Sequence, residues 1–239
     1  MSETAPETTI VVALYPGVTQ LDFTGPHQVL SRMPGARVVT ASLGGGDVWS
    51  DGLTFTALAD LSQVAGCDVL LVPGGGGCAD AMLDEAFIRE IRRLGAGARY
   101  VTSVCTGSLI LGAAGFVCGM RTACHWAWRE LLEPFGAIVS EARVERDGNL
   151  ITGGGVTAGI DFGFVLLAEL AGREVAERVQ LGLEYAPAPP FEGGRPELAR
   201  PEVLAHVRRT MGFLAPSRAA AAQEAARRLG DVADVAVLP

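Results

Sequence analysis

Residues 100–107 read YVTSVCTG, an apolar β-rich run that leads through Cys105 into the start of a helix. Small residues, Ser103 and Gly107, stand two positions either side of the thiol. This spacing is that of a nucleophile elbow, because a tight turn between strand and helix leaves no room for bulky neighbours. The pattern predicts a sulfur above a sheet at a helix N-terminus, where the helix dipole favours thiolate. An inert buried cysteine is the alternative that the local sequence leaves open.

Outward from this turn, short apolar runs alternate with helical segments. Residues 10–14, 37–41 and 68–72 are typical of buried parallel strands, and 49–55 reads as a hairpin. Alternating strands and helices predict βαβ units, and therefore a mostly parallel sheet covered on both faces. Pro26 is expected to open a short helix, and residues 125–132 are expected to form another.

The chain divides into three predicted segments. Residues 1–9 are polar and acidic and are expected to be a disordered lead-in, without the positive region of a signal peptide. Residues 10–190 form the predicted catalytic domain, which ends in a stiff proline-rich linker. Residues 191–239 are a predicted helical extension, whose Ala/Arg-rich second helix is expected on the surface or against a partner subunit.

Composition excludes several classes of protein. The 239 residues carry a net charge of −8, which disfavours a nucleic-acid partner. All 19 basic residues are arginine, so mechanisms that use a Schiff-base or P-loop lysine are excluded. The five cysteines are an odd, scattered set, which suggests reduced thiols in the cytoplasm.

An uncharged run at 100–120 has the length of a membrane span. It contains several glycines and hydroxyl side chains, and it divides into a β-rich half and a helix-like half. A buried strand followed by a buried helix explains these features, so we expect no membrane association.

The glycine run at 74–77 follows a predicted strand and imitates a dinucleotide-binding fingerprint. That fingerprint needs an acidic residue at the end of the next strand, and no acidic residue lies between Glu90 and Glu130. A cluster of backbone N–H groups is the alternative: Gly75 and Gly76 with Thr106 would stabilise an anion above the thiol. A structural turn explains the glycines equally well.

Two further side chains are candidates. Asp22 follows the first strand in an apolar setting, where it is either an acid or base of the site or a helix cap. His125 follows Cys124, and a structural role is favoured over a Cys–His pair. No CxxC or HxxxH spacing occurs, so no metal site is predicted.

Beyond these local arguments, the sequence resembles the DJ-1/PfpI superfamily, and more narrowly its isonitrile hydratase branch. The resemblance runs from about residue 10 to about 190 and rests on five motifs: residues 21–26 (LDFTGP), 72–75 (VPGG), 102–108 (TSVCTGS), 125–126 (HW) and 153–161 (GGGVTAGID).

This resemblance implies a flavodoxin-like three-layer α/β/α sandwich, a homodimer and no cofactor. It implies that Cys105 is the nucleophile, with Asp22 beside it and Thr106 donating to the substrate. Hydration of an isocyanide would then pass through a thioimidate on Cys105, with Asp22 as acid and base. Thr106 stands where protease-like members have histidine, which argues against peptidase activity. A ligand- or redox-sensing module and a glyoxalase-like enzyme remain the alternatives.

Overall fold

The computed structural model describes residues 8–236, with side chains described as far as residue 230. Seven strands form the central sheet in the order β10-β11-β7-β6-β1-β2-β5, and every pairing is parallel except that of β10 with β11. These strands are β1 (Thr8–Ala13), β2 (Ala36–Ser42), β5 (Ala59–Asp60), β6 (Val69–Val72), β7 (Tyr100–Val104), β10 (Val144–Asp147) and β11 (Leu150–Gly153).

Two pairs of short strands lie outside this sheet. β3 (Val48–Ser50) and β4 (Leu53–Phe55) form the predicted antiparallel hairpin, with its turn at Asp51 and Gly52. β8 (Arg121–Ala123) pairs in parallel with β9 (Ile138–Ser140). The predicted hairpin turn at Asp147 and Gly148 joins β10 to β11.

Helices cover both faces of the sheet. One layer contains α1 (Gln20–Leu30), α5 (Ala158–Ala171) and α6 (Arg173–Gly182), and the other contains α2 (Cys78–Leu83), α3 (Glu85–Gly97) and α4 (Gly107–Ala113). The strand order explains this division. Two crossover connections run in opposite directions along the sheet: one leads from β1 through α1 to β2, the other from β6 through α3 to β7. Because both crossovers are right-handed, their helices lie on opposite faces.

This topology positions a crevice. The direction of the connections reverses between β1 and β6, and ligands of open α/β sheets bind beyond the carboxyl ends of the strands at such a point. The segments that follow β1, β6 and β7 therefore meet there. The predicted flavodoxin-like α/β/α sandwich with a mostly parallel sheet is confirmed.

The central strands are apolar throughout because both sheet faces are covered. Residues 69–72 are fully buried, as are residues 10–13 of β1. The uncharged run at 100–120 divides into β7 and α4, as predicted. None of the helices in the described part of the chain is long and apolar enough to span a membrane.

Some predicted elements differ from the structure. Helix α1 begins at Gln20 and not at Pro26, so Asp22 lies in its first turn. Pro26 lies inside this helix, and a Cβ added at Gly159 of α5 would lie 3.2 Å from its Cδ atom. Instead of a helix at 125–132, a turn leads into a 3-10 helix, Arg129–Phe135, which contains a proline.

The two ends of the predicted domain also differ. Strand β1 already begins at Thr8, two residues inside the predicted lead-in, and residues 1–7 lie outside the described part. The C-terminal helices are α7 (Pro201–Gly212) and α8 (Ala215–Ala236). The second of these helices was expected on the surface or against a partner, and its positions 216, 217, 220, 223, 227 and 230 are exposed. α8 packs on α2, α4 and the 3-10 helix, and buries alanines 221, 222 and 225 against them.

Candidate active site

Cys105 lies at the predicted elbow between β7 and α4. Its φ of +59° is in the left-handed region, which a side chain adopts only at a cost. Its backbone N–H donates to Gly153 O at 3.0 Å and to Gly154 O at 2.8 Å, which holds the turn in this conformation. A Cβ added at Gly107 would collide with Val72 O, so the small residue after the thiol is required by the approach of β6. The elbow predicted from the spacing is confirmed.

Asp22 is the carboxyl group that the fold brings beside this thiol. It is fully buried, and its Oδ2 accepts a hydrogen bond from Gly74 N–H at 3.0 Å. Oδ1 is also buried, and within the described residues it has no hydrogen-bond partner of adequate geometry. Burial raises the pKa of Asp22 to about 7, although the Cys105 thiol and Gly74 N–H favour the charged form. A carboxyl group with a pKa in this range can exchange its proton near neutral pH.

The thiol itself is held in its protonated form. Burial raises the pKa of Cys105 well above its ordinary value, and the negative charge of Asp22 adds to the shift. The N–H of Thr106 acts in the opposite direction but does not reverse it. Burial and the charge of Asp22 thus act against the thiolate that the position at a helix N-terminus is expected to favour.

The glycine-rich turn approaches both groups. A Cβ at Gly74 would lie 2.5 Å from Thr106 N and 2.8 Å from Asp22 Oδ2, so only glycine fits. Gly75 N–H donates to Thr106 Oγ1 at 3.0 Å. This hydrogen bond occupies the amide of Gly75 and the hydroxyl of Thr106. The predicted anion hole therefore lacks its Gly75 donor, and within the described residues Gly76 makes no hydrogen bond to the thiol or the carboxyl. Thr106 N–H is the donor that remains at the sulfur.

Sequence reasoning missed Arg218, which reaches the glycine turn from α8. Its side chain is 5% exposed, and its Nη2 donates to Gly75 O at 3.0 Å. Its guanidinium carbon lies 4.3 Å from the centroid of the Trp128 ring. Positions 218, 221, 222 and 225 follow the spacing of one helical face, and this periodicity was the signal that could have revealed the buried arginine.

His125 lies nearby without contacting the thiol through a hydrogen bond. Its Nδ1 accepts from Ala127 N–H at 3.2 Å, and burial lowers its pKa to about 4, so the ring is neutral. It lines a cleft of about 230 Å³ together with Gly154, Gly155 and residues 194–197. Cys105 does not line this cleft. Gly154 does, and its carbonyl oxygen accepts the backbone N–H of Cys105, so the cleft lies next to the elbow.

The other cysteines differ in exposure. Cys78 and Cys124 are buried, Cys67 is partly buried and Cys118 is exposed. Burial raises the pKa values of Cys78 and Cys124. In the described part of the chain, no group of three or more His, Cys, Asp or Glu side chains is arranged to hold a metal ion.

Several known proteins are similar to this chain in sequence and in fold. The isonitrile hydratase of Pseudomonas putida is 48% identical over 204 residues, which cover 82% of this chain and 86% of that protein. The crystal structure of a ThiJ/PfpI family protein from Pseudomonas syringae superposes with a TM-score of 0.85 at 41% identity, covering 93% of this chain and 92% of that one. Drosophila melanogaster DJ-1beta superposes with a TM-score of 0.66 at 26% identity, covering 76% of this chain and all of that one.

The family model for the DJ-1/PfpI family matches residues 8–169, which include β1, the glycine turn, the elbow and most of α5. The matched part contains Asp22, Gly74 and Cys105, and it ends before the C-terminal helices. By this match and by the identity to its relatives, the chain belongs to the DJ-1/PfpI family.

Proposed function

We propose that the protein is an isonitrile hydratase, which adds water to an isocyanide, R–N≡C, and releases an N-substituted formamide. The observation that carries the proposal is the pairing of Cys105 with a buried carboxyl group whose pKa is raised to about 7. Such a group can both accept and give a proton at neutral pH, and hydration needs both transfers. The identity to the Pseudomonas putida isonitrile hydratase supports the same function.

The first half of the reaction adds the S–H bond across the terminal carbon of the isocyanide. Asp22 accepts the thiol proton as sulfur attacks that carbon, and then gives the same proton to the carbon. The product is a thioimidate, Cys105–S–CH=N–R, and the carboxyl is again ionised. The structure favours this order because the thiol pKa is raised and Asp22 is the adjacent base. The Oδ1 atom carries the proton, since Oδ2 is engaged by Gly74.

The second half consumes water. Asp22 takes a proton from the water that attacks the thioimidate carbon and passes it to nitrogen, giving a tetrahedral S–CH(OH)–NH–R adduct. The C–S bond then breaks, and the hydroxyl proton returns through Asp22 to the sulfur. The formamide leaves and the thiol is restored, so the only net change is the addition of one water. Thr106 N–H stabilises negative charge on the sulfur in both halves.

The test is a turnover assay with small alkyl and aryl isocyanides, which follows the loss of isocyanide and the appearance of formamide. We expect turnover by the wild type and none by Cys105→Ala. Cys118→Ala is the matched control, since it removes an exposed thiol distant from the proposed chemistry. Unchanged turnover in Cys105→Ala, or no turnover of any isocyanide by the wild type, contradicts the proposal.

Assays on the same purified protein distinguish the hydratase from a redox sensor and from a glyoxalase-like enzyme. A redox sensor needs a thiolate that peroxide can oxidise, and the raised pKa of Cys105 works against that role. A glyoxalase-like enzyme would consume methylglyoxal and not isocyanides. The homodimer and the cytoplasmic location that the resemblance implied stay predictions, and light scattering on the purified protein tests the first.

A further inference from the structure

The geometry points to Arg218 as a positioning residue of the active site: its guanidinium fixes the Gly74–Gly75 turn so that Gly74 can hold Asp22. This inference rests on the proposed function to the extent that Asp22 and Cys105 do the chemistry. It assigns a role to the C-terminal helix α8, which lies outside the residues that the family model matches.

The environment of Arg218 is unusual for a positive charge. The side chain is 5% exposed, and among the side chains of residues 8–230 no carboxylate lies within ion-pair distance of it. Its Nε is buried without a hydrogen-bond partner in the same part of the chain. Burial of a charge without a carboxylate partner is costly, and the stacking on Trp128 and the bond to Gly75 O offset part of that cost. The position of the guanidinium at the turn is therefore the feature that we connect with function.

The hydrogen bond from Arg218 to a backbone carbonyl goes to a glycine-rich turn. Residues 74–77 are four consecutive glycines, which have the greatest backbone freedom of any sequence. The loop after β1 also holds this turn, through the hydrogen bond from Thr19 N–H to Gly74 O at 2.8 Å. The charge-assisted bond from Arg218 to Gly75 O is an additional restraint, which comes from α8.

A short chain of contacts links this restraint to the chemistry. Gly75 N–H donates to Thr106 Oγ1, and the preceding Gly74 N–H donates to Asp22 Oδ2. The second bond favours the charged form of Asp22 and so keeps its pKa from rising further. If the turn moves, Asp22 loses this donor and its pKa rises.

The charge of Arg218 has a separate and more local effect. It lowers the pKa of His125 and opposes the rise in the pKa of Cys78. The pKa of Asp22 is set by burial, by the Cys105 thiol, by Gly74 and by Asp51. Arg218 is not among these groups, so we assign its effect on Asp22 to the position of the turn.

The experiment compares Arg218→Met with Arg228→Met in the full-length protein. Arg228 lies on the same helix and also donates to a backbone carbonyl, that of Leu83 at 3.2 Å, but it does not touch the turn. Three quantities are measured: the melting temperature, kcat and KM for an isocyanide, and the titration midpoint of Asp22. The midpoint comes from carbon-13 NMR with labelled aspartate, assigned by comparison with Asp22→Asn.

We expect Arg218→Met to fold with a melting temperature close to that of the wild type, because removal of the buried charge offsets the loss of the contacts with Trp128 and Gly75 O. Its kcat should fall about 10- to 100-fold, the loss that a hydrogen bond to a charged group produces. The Asp22 midpoint should rise above about 7. Arg228→Met should lower the melting temperature and leave kcat and the midpoint unchanged.

Three results would overturn the inference: an Arg218→Met protein that fails to fold, one with wild-type kcat, or one whose Asp22 midpoint does not move. The NMR titration needs no turnover. A wild type that does not hydrate isocyanides would refute the proposed function, while the midpoint shift would still decide the role of Arg218.

Discussion

Replacing Asp22 with asparagine should abolish function and stabilise the protein, and both effects come from the same buried carboxyl group. Asparagine keeps the shape of the side chain and an oxygen for Gly74 N–H, so the packing is retained. The acid–base transfers are lost, and general acid–base catalysis is typically worth about 10²- to 10⁴-fold in rate. We expect kcat to fall by that factor.

The gain in stability depends on pH. A carboxyl group whose pKa is about 7 in the folded protein, against an ordinary value of 3.8 when the chain is unfolded, binds its proton more tightly when folded. Its favourable contribution is complete below about pH 3.8 and is lost as the pH rises through about 7. At one pKa unit per 1.36 kcal/mol, ionised Asp22 costs about 4 kcal/mol of folding free energy at pH 8. Asp22→Asn removes this cost.

The assay is urea unfolding followed by far-UV circular dichroism at pH 5 and pH 8. The variant should exceed the wild type in free energy of unfolding by up to about 4 kcal/mol at pH 8 and by much less at pH 5. Asp60→Asn is the control, and its effect on the free energy of unfolding should have the opposite sign, because hydrogen bonds from Ser62 lower the pKa of Asp60. It should keep wild-type turnover and lose stability at pH 8. An Asp22→Asn protein that is no more stable at pH 8 than at pH 5, relative to the wild type, would refute the reasoning.

Three further predictions concern the turn, the C-terminal helix and the thiol. Gly74→Ala should lower kcat more than 10-fold in the turnover assay, since its Cβ would lie 2.5 Å from Thr106 N. Gly66→Ala is the control: its Cβ meets nothing within 4 Å, so turnover should be unchanged. Ala222→Leu should destabilise the protein by about 1–3 kcal/mol in urea unfolding, because α8 is fully buried at this position; an unchanged free energy of unfolding would contradict the packing described. Alkylation of Cys105 by iodoacetamide, followed by peptide mass spectrometry, should be slow at pH 7 and accelerate above pH 9 because the thiol pKa is raised; a rate that is already maximal at pH 7 would contradict it.

Local sequence was sufficient to predict the elbow and the sheet. The strand at 100–104, the thiol and its small neighbours are consecutive, and the steric reason for Gly107 applies wherever a second strand lies close. The approach of Asp22 to Cys105 follows from the strand order, because carboxyl ends of neighbouring parallel strands meet at one edge. The resemblance implied the same pair before the topology was known.

Other features of the site depend on directions and distances that the sequence does not encode locally. Gly75 was expected to point its N–H at the substrate, but the hydroxyl of Thr106 accepts it. The helix N-terminus was expected to favour the thiolate, but burial and the charge of Asp22 raise the pKa of the thiol. Arg218 escaped notice because an alanine-rich helix has weak hydrophobic contrast, so its buried face resembles an exposed one.

The bond between Arg218 and Gly75 joins residues 143 positions apart, and this separation sets an order of events during synthesis. At about 5–20 residues per second, a ribosome makes Arg218 roughly 7 to 29 seconds after Gly75. From the synthesis of Cys105 until that of Arg218, the nascent chain contains the thiol and the carboxyl but not the arginine of α8 that restrains the turn between them. If Arg218 has the role that we propose, the site is complete only when α8 has emerged and docked on the turn.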